Sequence, residues 1–186
     1  MSDAASNGVA GVVSADPWRM AVLRAVRSEA LPDWAIGAGF VRNAVWDRLH
    51  GKANGTPLDD VDVLYFDRSD RSRQAERDIE ARLALRMPSV PWSVRNQARM
   101  HVRNGDEPYT GTDDALRYWL ETATCVAVTL DIDDRLSVIA PYGLGDLLGM
   151  RSGPTARGRE RYDVYLDRMR CKNWPVRWPC VRVEGL

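Results

Sequence analysis

The sequence has few residues of the kinds that would cross-link the chain or anchor it in a membrane. Only three of its 186 residues are cysteines, and Cys125, Cys171 and Cys180 show no C-x-x-C spacing. A disulfide framework or a cysteine-based zinc cluster is therefore not predicted. Residues 1–16 lack the basic start and long apolar stretch of a secretion signal, and no apolar run approaches the length of a membrane span. We expect a cytoplasmic protein with no membrane partner.

An excess of charge of one sign is also missing. Lys and Arg together number 26, as do Asp and Glu, which leaves a formal net charge of +0 and a pI of about 6.7. Proteins that bind long nucleic acids through their phosphates usually carry a basic excess. Composition therefore favours a small molecule or a protein as the partner over a long nucleic acid, and leaves room only for a local basic patch.

The order of helix and strand signals predicts a mixed β-sheet flanked by helices. Residues 1–15 are small and polar and are expected to form a disordered N-terminus. Residues 16–186 are expected to form a single domain that ends in a C-terminal helix and a Pro/Trp-rich tail. Apolar and β-branched runs predict strands at 61–66, at 92–102 and in a hairpin over 124–140. Their alternation with helical segments indicates the α/β (α+β) class.

A pair of carboxylates gives the first indication of chemistry. Asp60 and Asp62 stand two residues apart at the start of the predicted strand 61–66. Side chains at that spacing project to the same face of a strand, and two carboxylates there repel each other unless a cation neutralises them. Mg²⁺ prefers one or two carboxylates together with phosphate oxygens and water. A D-x-D pair on its own is common, however, and more often faces solvent.

A glycine turn strengthens the metal interpretation. Gly37 and Gly39 lie between a strand signal and a helix signal, with Arg42 and Asn43 in the first turn of that helix. Glycine lets the backbone approach a ligand closely, and the free N–H groups of a helix N-terminus attract phosphate. Arg42 takes the place of the third glycine of a dinucleotide fingerprint, so that motif is absent. Turn, helix and acidic pair together predict a phosphate cradle beside a metal pair.

These residues carry a resemblance to a known superfamily. Residues 37–43 are similar to the Gly-Gly-x-Val-Arg-Asp element of CCA-adding enzymes and poly(A) polymerases, and residues 60–62 are similar to their acidic pair. More closely, the chain from about Trp18 to Pro179 resembles a family of small bacterial proteins described as nucleotidyltransferase-like. The segments that carry this closer resemblance are 41–47, 60–67, 96–101, 119–122 and 143–148.

The resemblance implies a fold, a reaction and a site. The fold is that of the nucleotidyltransferases, and the reaction is transfer of a nucleoside monophosphate from a nucleoside triphosphate to an acceptor. Asp60 and Asp62 would be the catalytic ligands of Mg²⁺, or of Mn²⁺ in its place. The residues implied to bind the nucleotide are Gly37, Ala38, Gly39, Arg42 and Asn43. The alternative is a nucleotide-binding or sensing module of the same fold with weak or no catalysis.

One group expected of an active enzyme has no clear match. Active members of the superfamily usually carry a third carboxylate on a later strand, and the predicted strand 92–102 contains no Asp or Glu. Asn96 or His101 could substitute, since a histidine can act as a base near neutral pH, although a hydrogen-bonded structural histidine is more common. Glu121, at the start of the next predicted strand, and Asp131, in the hairpin turn, are the other candidates.

Residues near the C-terminus give weaker signals. Lys172 is a candidate triphosphate contact. Trp174 and Trp178 could stack on a base, but rings in such a tail more often fix it to the domain. A loose basic cluster could neutralise phosphate, although a solvated helix face is its ordinary explanation. That cluster consists of Arg151, Arg157, Arg159 and Arg161.

Overall fold

The computed structural model describes residues 2–186, in which helices and strands alternate. The helices are α1 (Ser2–Ser14), α2 (Pro17–Arg27), α3 (Gly39–Leu49), α4 (Arg73–Arg86), α5 (Gln97–Asn104), α6 (Thr112–Arg117), α7 (Gly145–Leu148), α8 (Ala156–Glu160), α9 (Tyr162–Lys172) and α10 (Trp174–Arg177). The strands are β1 (Ala35–Gly37), β2 (Val61–Tyr65), β3 (Trp92–Asn96), β4 (Ala127–Leu130), β5 (Leu136–Ile139), β6 (Arg151–Ser152) and β7 (Arg182–Val183).

Five of the strands form one mixed sheet in the order β3-β2-β1-β4-β5. β1 is antiparallel to both of its neighbours, β2 and β3 are parallel, and β4 and β5 form the predicted hairpin. β6 and β7 make a separate parallel pair. A mixed sheet flanked by helices is the predicted fold class, which is confirmed. None of the helices within residues 2–186 combines the length and the hydropathy needed to span a membrane.

The helix that follows the glycine turn lies in the middle of the core. In α3 every residue from Phe40 to Asp47 is buried, so this helix has no wide solvent face of the kind seen on α4. It packs on the sheet and on helices α1 and α7. The N-terminus of α3 is therefore held firmly at the end of β1, where a ligand-binding turn needs a rigid support.

The predicted disordered N-terminus is corrected by the structure. Residues 2–14 form helix α1, in which Val9 and Val13 are fully buried against α3 and β5. These two valines are spaced i, i+4 and so share one helix face. The residues around them are small and polar, so the composition of the segment did not indicate this short apolar stripe. Met1 lies outside the described residues.

The predicted strand 92–102 is also corrected. β3 ends at Asn96, and residues 97–104 turn into helix α5. The Asn96 side chain accepts a hydrogen bond from the backbone N–H of Ala98 at 3.0 Å, and so caps the new helix. An asparagine that bonds to nearby backbone in this way competes with strand pairing, which explains why the strand stops there.

The C-terminal segment forms part of the core. The predicted C-terminal helix is divided into α8 and α9 at Arg161, and the Pro-containing tail begins with the short helix α10. A proline is tolerated there because the first turn of a helix needs no N–H from it. Trp174 and Trp178 are buried and pack edge-on against Trp46, with ring centroids 5.2 and 5.3 Å away. The tail is thus fixed to the domain.

Candidate active site

Strand register brings the two predicted motifs to one edge of the sheet. β1 and β2 are antiparallel, with Ile36 opposite Val63, so the end of β1 at Gly37 lies beside the start of β2 at Asp62. On its other side Gly37 pairs with the first residue of β4. The segment that leads into β4, which contains Glu121, therefore arrives at the same edge.

A cavity of about 370 Å³ opens at this edge, within the size range of small-molecule sites. Its wall is mostly polar, and acids and bases are both abundant in it. The acidic residues are Asp59, Asp60, Asp62, Asp106 and Glu121. The basic residues are Arg42, Arg157, Arg161, Arg168, Lys172 and Arg177. Such a mixed lining suits a polyanionic ligand that has cations bound to it.

Asp60 and Asp62 both line the cavity, as the strand spacing predicts. Burial, and after it the charge of Asp60, raises the pKa of Asp62 from 3.8 to about 6. A hydrogen bond from Ser93 and the charges of Arg168 and Lys172 act in the opposite direction. The net effect shows that the ionised pair is unfavourable in the free protein, and a divalent cation would remove that cost.

A Mg²⁺ ion fits this donor set. Within residues 2–186 no three His, Cys, Asp or Glu side chains converge on one point as a ready-made ligand shell. Mg²⁺ does not require such a shell, since it commonly binds through one or two carboxylates and keeps water and substrate phosphate as its other ligands. Asp60 and Asp62 can supply those carboxylates.

The turn between β1 and α3 has a strained backbone. Ala38 has φ 52° and ψ −124°, in a region that favours glycine and costs a residue with a Cβ atom energy. Ala38 and Gly39 line the cavity, and no side chain caps the N-terminus of α3. Gly37 does not line the cavity. A Cβ atom there would lie 3.3 Å from both Trp119 and the carbonyl oxygen of Val126, so the close packing of the sheet explains this glycine.

Arg42 is buried in the wall of the cavity, with its guanidinium 4.5 Å from the ring of Trp174 and 5.6 Å from that of Trp46. One of its nitrogens donates to Asn43 Oδ1 at 2.9 Å, while Nε has no hydrogen-bond partner in the described part of the chain. Burial lowers the pKa of Arg42 to about 10, against the attraction of Glu121. Arg42 therefore stays charged at neutral pH and has a donor to spare for an anion.

Glu121, one of the predicted candidates for a third carboxylate, lines the same cavity as Asp60 and Asp62. It is 1% exposed and lies in an isolated bridge with Pro154, just before a 3₁₀ turn, and not in a strand as predicted. Its Oε1 accepts a hydrogen bond from Arg168 Nε at 2.8 Å. Burial would lower the pKa of Arg168, but Glu121 outweighs it and holds that pKa above its usual range.

The other candidates for a third carboxylate lie elsewhere. Asn96 is fully buried, and its amide is occupied by the cap of α5 and by the carbonyl oxygens of Asp67 and Asp70. His101 lies on α5, not on a strand, and its ring packs edge-on against Tyr109. Asp131 accepts backbone hydrogen bonds within the hairpin turn. None of these three lines the cavity. Asn96 pairs with Tyr65, at the other end of β2 from Asp62, and His101 follows it in α5. The hairpin turn that contains Asp131 lies at the end of β4 away from Gly37.

Basic residues from the C-terminal helices complete the site. Arg168 and Lys172 lie one helical turn apart on α9 and both reach the cavity. Sequence reasoning passed over Arg168, although its i, i+4 spacing from Lys172 was a usable signal. Of the predicted basic cluster, Arg157 and Arg161 line the cavity. Arg151 and Arg159 instead pair with surface acids outside it.

This sheet order, with a strained turn opening a buried helix and an acidic pair on the next strand, defines the fold of the nucleotidyltransferases. The chain matches the family described as Nucleotidyltransferase over residues 24–183. That match covers most of the sequence, so this protein belongs to the Nucleotidyltransferase family.

Solved structures agree with this assignment. One described as "The NMR structure of the protein reveals a CCA-adding enzyme head domain" matches with a TM-score of 0.84 and 30% identity, covering 96% of this chain and 95% of that one. A "tRNA-processing enzyme (apo form 2)" matches with a TM-score of 0.53 and 17% identity, covering 88% of this chain and 45% of that one, which shows the fold alone. The search of curated proteins found no match.

Proposed function

We propose that this protein is a Mg²⁺-dependent nucleotidyltransferase that transfers a nucleoside monophosphate from a nucleoside triphosphate to an acceptor hydroxyl. The observation that carries the proposal is the convergence of Asp60, Asp62 and the uncapped N-terminus of α3 on one cavity. Family membership and the CCA-adding head-domain fold support it. Neither the family nor the fold identifies the acceptor.

The reaction requires one bond to form and one to break. The acceptor oxygen bonds to the α-phosphorus, and the bond from that phosphorus to the bridging oxygen breaks, so that pyrophosphate leaves with the electron pair. Bound Mg²⁺ would stabilise the charge on the phosphate oxygens. Asp60 and Asp62 would hold the ion, and Mn²⁺ could replace it because both cations accept oxygen ligands.

The triphosphate has several donors within reach of the cavity. The first-turn N–H groups at Gly39 offer an anion site at the positive end of α3. Arg42 has an unused donor beside that turn, and its neighbour Asn43 fixes its guanidinium. Arg161 and Lys172 enter from the C-terminal helices. These groups would orient the leaving pyrophosphate and neutralise its charge.

Glu121 takes the role of the third carboxylate in this proposal. It lines the same cavity as Asp60 and Asp62, and the Nε–Oε1 bond to Arg168 fixes its orientation. From there it would accept the proton of the acceptor hydroxyl. A buried acceptor held in place by a second group is the usual arrangement for general-base catalysis.

The same ion pair supports one alternative function. Arg168 holds Glu121 in an ion pair, and a protein with this site could bind Mg²⁺ and a nucleoside triphosphate without transferring the nucleotide. Such a protein would act as a nucleotide sensor. Binding alone therefore does not distinguish the two functions, and turnover must be measured separately.

The test begins with thermal unfolding in the presence of each nucleoside triphosphate, with and without Mg²⁺. A ligand present at about 100 times its Kd adds about 2.7 kcal/mol to the stability of the fold, so we expect a rise in Tm that needs both nucleotide and metal. Asp60→Asn should abolish the rise, whereas Asp133→Asn, which removes an exposed carboxylate in the hairpin turn, should keep it. The absence of any rise in the wild type would contradict both functions.

Turnover is then measured with α-labelled nucleotide and a panel of small-molecule, protein and nucleic-acid acceptors. We expect label transfer with release of pyrophosphate. Glu121→Gln should lower the rate about 100-fold or more, as loss of a general base does, while the Mg²⁺–nucleotide rise in Tm persists. Binding without label transfer to any acceptor would favour the sensor, and full activity of Glu121→Gln would remove Glu121 from the reaction.

A further inference from the structure

A concentration of positive charge lies outside the catalytic cavity, on the surface formed by α4, β3 and α5. It lines a depression of about 390 Å³ that we call the arginine groove. The groove consists of Arg73, Arg77, Arg95, Arg99 and Arg103, with Glu76 and Glu80. An adjoining depression of the same size shares Arg73, Arg99 and Arg103 and adds Arg71 and Val102. The basic surface therefore extends past the groove itself.

The two acids of the groove are used internally. Glu76 is 3% exposed and accepts hydrogen bonds from Arg99 Nε at 2.8 Å and from the backbone N–H of Asn96 at 2.7 Å. Glu80 accepts from Arg95 and from the backbone N–H of Val94, both at 2.8 Å. These acids hold two arginines in place. Among the described residues, Arg73 and Arg103 form no ion pair and are exposed.

The arginines are arranged in regular pairs. Arg73 and Arg77 lie on α4 and Arg99 and Arg103 on α5, each pair at i, i+4 spacing. One such step advances about 6 Å along a helix axis, which is comparable with the distance between successive phosphates of a nucleic-acid strand. Arginine presents a planar fork of donors that matches phosphate oxygens. Arg99 uses one side of its fork on Glu76, whereas Arg73 and Arg103 keep theirs free of the other described residues. Free forks on two separate helices suit a chain of phosphates better than one isolated anion.

We propose that the arginine groove binds the phosphodiester backbone of a nucleic-acid strand. The lining contains charged side chains and no aromatic ring, so it would contact phosphates without reading bases. The near-zero net charge of the chain argued against a nucleic-acid partner. Net charge does not show, however, that several arginines are clustered on one surface. α5 ends at Asn104, which lines the catalytic cavity, so a strand along α5 passes close to that opening.

The experiment measures the binding of a fluorescein-labelled oligouridylate by fluorescence anisotropy over a range of salt concentrations. We expect affinity to fall as salt rises, because each neutralised phosphate of a single strand contributes about 0.7 to the slope of log K against log salt. Arg73→Ala/Arg103→Ala should weaken binding at low salt about tenfold and reduce that slope by roughly 1.4. Both residues are exposed, so the fold should survive the substitutions.

The matched control is Arg48→Ala/Arg182→Ala, which removes two exposed arginines that line neither the groove nor the cavity. It should bind the oligouridylate as the wild type does. Equal weakening in both double variants, or no binding by the wild type at low salt, would overturn the proposal. If the groove bound poly-glutamate and not the oligouridylate, the proposal would also be overturned, and the partner of the groove would be an acidic protein.

This proposal does not depend on the proposed catalytic function. The groove and the cavity share no lining residue, so Arg73→Ala/Arg103→Ala should keep the rise in Tm produced by Mg²⁺ and nucleotide. A protein that failed to bind nucleotide but bound the oligouridylate through the groove would contradict only the catalytic proposal.

Discussion

Replacing Asp62 by asparagine should make the metal-free protein more stable. The ionised Asp62 carboxylate is unfavourable in the fold, because burial and the charge of Asp60 raise its pKa from 3.8 to about 6. A tenfold change in proton affinity corresponds to about 1.4 kcal/mol, so ionised Asp62 costs the fold about 3 kcal/mol at pH 7. Asparagine keeps the shape and removes the charge. We expect a gain of about 2–3 kcal/mol, which for a chain of this size raises Tm by roughly 4–12 °C.

The gain should depend on pH in a defined way. A raised pKa means that the folded protein holds a proton on Asp62 in the pH range where the unfolded chain has lost it. Stability therefore falls as pH rises from 3.8 to about 6. The difference between Asp62→Asn and the wild type should be small at about pH 4, where it has only begun to develop, and nearly complete at about pH 7. Taking the difference cancels the contributions of carboxylates that do not interact with Asp62, and leaves those of Asp62 and of its repulsion with Asp60.

Divalent metal and nucleotide should reverse the order of stability. The wild type gains stability by mass action when it binds Mg²⁺ and a nucleoside triphosphate, whereas Asp62→Asn has lost a ligand and should gain little. The assay is urea unfolding at about pH 4, 5.5 and 7, a range that runs from close to the unfolded pKa of 3.8 to above the folded pKa of about 6, in EDTA and then with Mg²⁺ and nucleotide.

The control is again Asp133→Asn, which removes an exposed carboxylate and should change stability little at any pH. An Asp62→Asn protein that is less stable than the wild type in EDTA at pH 7 would refute the reasoning. A stability difference that does not change between pH 4 and pH 7 would refute it as well, because the gain would then have a cause other than the carboxylate charge.

The remaining predictions concern the turn and the core beneath it. Gly37→Ala should cost about 1–3 kcal/mol of unfolding free energy, because its methyl group would press on the ring of Trp119 and a backbone oxygen. Gly39→Ala makes ordinary contacts at 3.4 Å or more, so it should keep the wild-type Tm but lose the Mg²⁺–nucleotide rise. The reverse pattern would show that the two glycines have been assigned the wrong roles. Asp47→Ala should cost about 2–4 kcal/mol, since the buried carboxylate accepts hydrogen bonds from Thr56 and from Trp178 Nε1. Burial opposes ionisation of Asp47, but these bonds lower its pKa, so the part of the wild-type advantage that comes from the ionised carboxylate should be present above pH 3.8 and be lost as pH falls further. Urea unfolding at two pH values measures this, and a cost near zero at pH 7 would contradict it.

Part of the site was predictable because it is local in the chain. Asp60 and Asp62 share a face by strand alternation, and the Gly37–Gly39 turn opens a helix through residues that are adjacent in sequence. Neither inference needs a distant contact. The cap of α2 is local in the same way, because Asp16 accepts hydrogen bonds from the backbone N–H groups of Trp18 and Arg19, two and three residues along the chain.

Predictions that depended on weak local signals were less reliable. Val9 and Val13 form a stripe of only two buried residues, too short to distinguish α1 from a disordered segment. Asn96 lies in a run with strand-like composition, and its side-chain cap on α5 decides the switch to helix. In both cases tertiary packing or a single hydrogen bond outweighs intrinsic propensity.

The sequence by itself determined the class of fold and the acidic pair beside a glycine turn, because strand and helix periodicity fix which neighbouring side chains share a face. Only the tertiary structure decided what completes the cavity. Glu121 reaches the cavity because β4 lies against β1, and Arg168 reaches it because α9 lies beside the same cavity. Residues so far apart in the chain meet through sheet order and helix packing. Both depend on the whole core, so no local pattern in the sequence predicts these contacts.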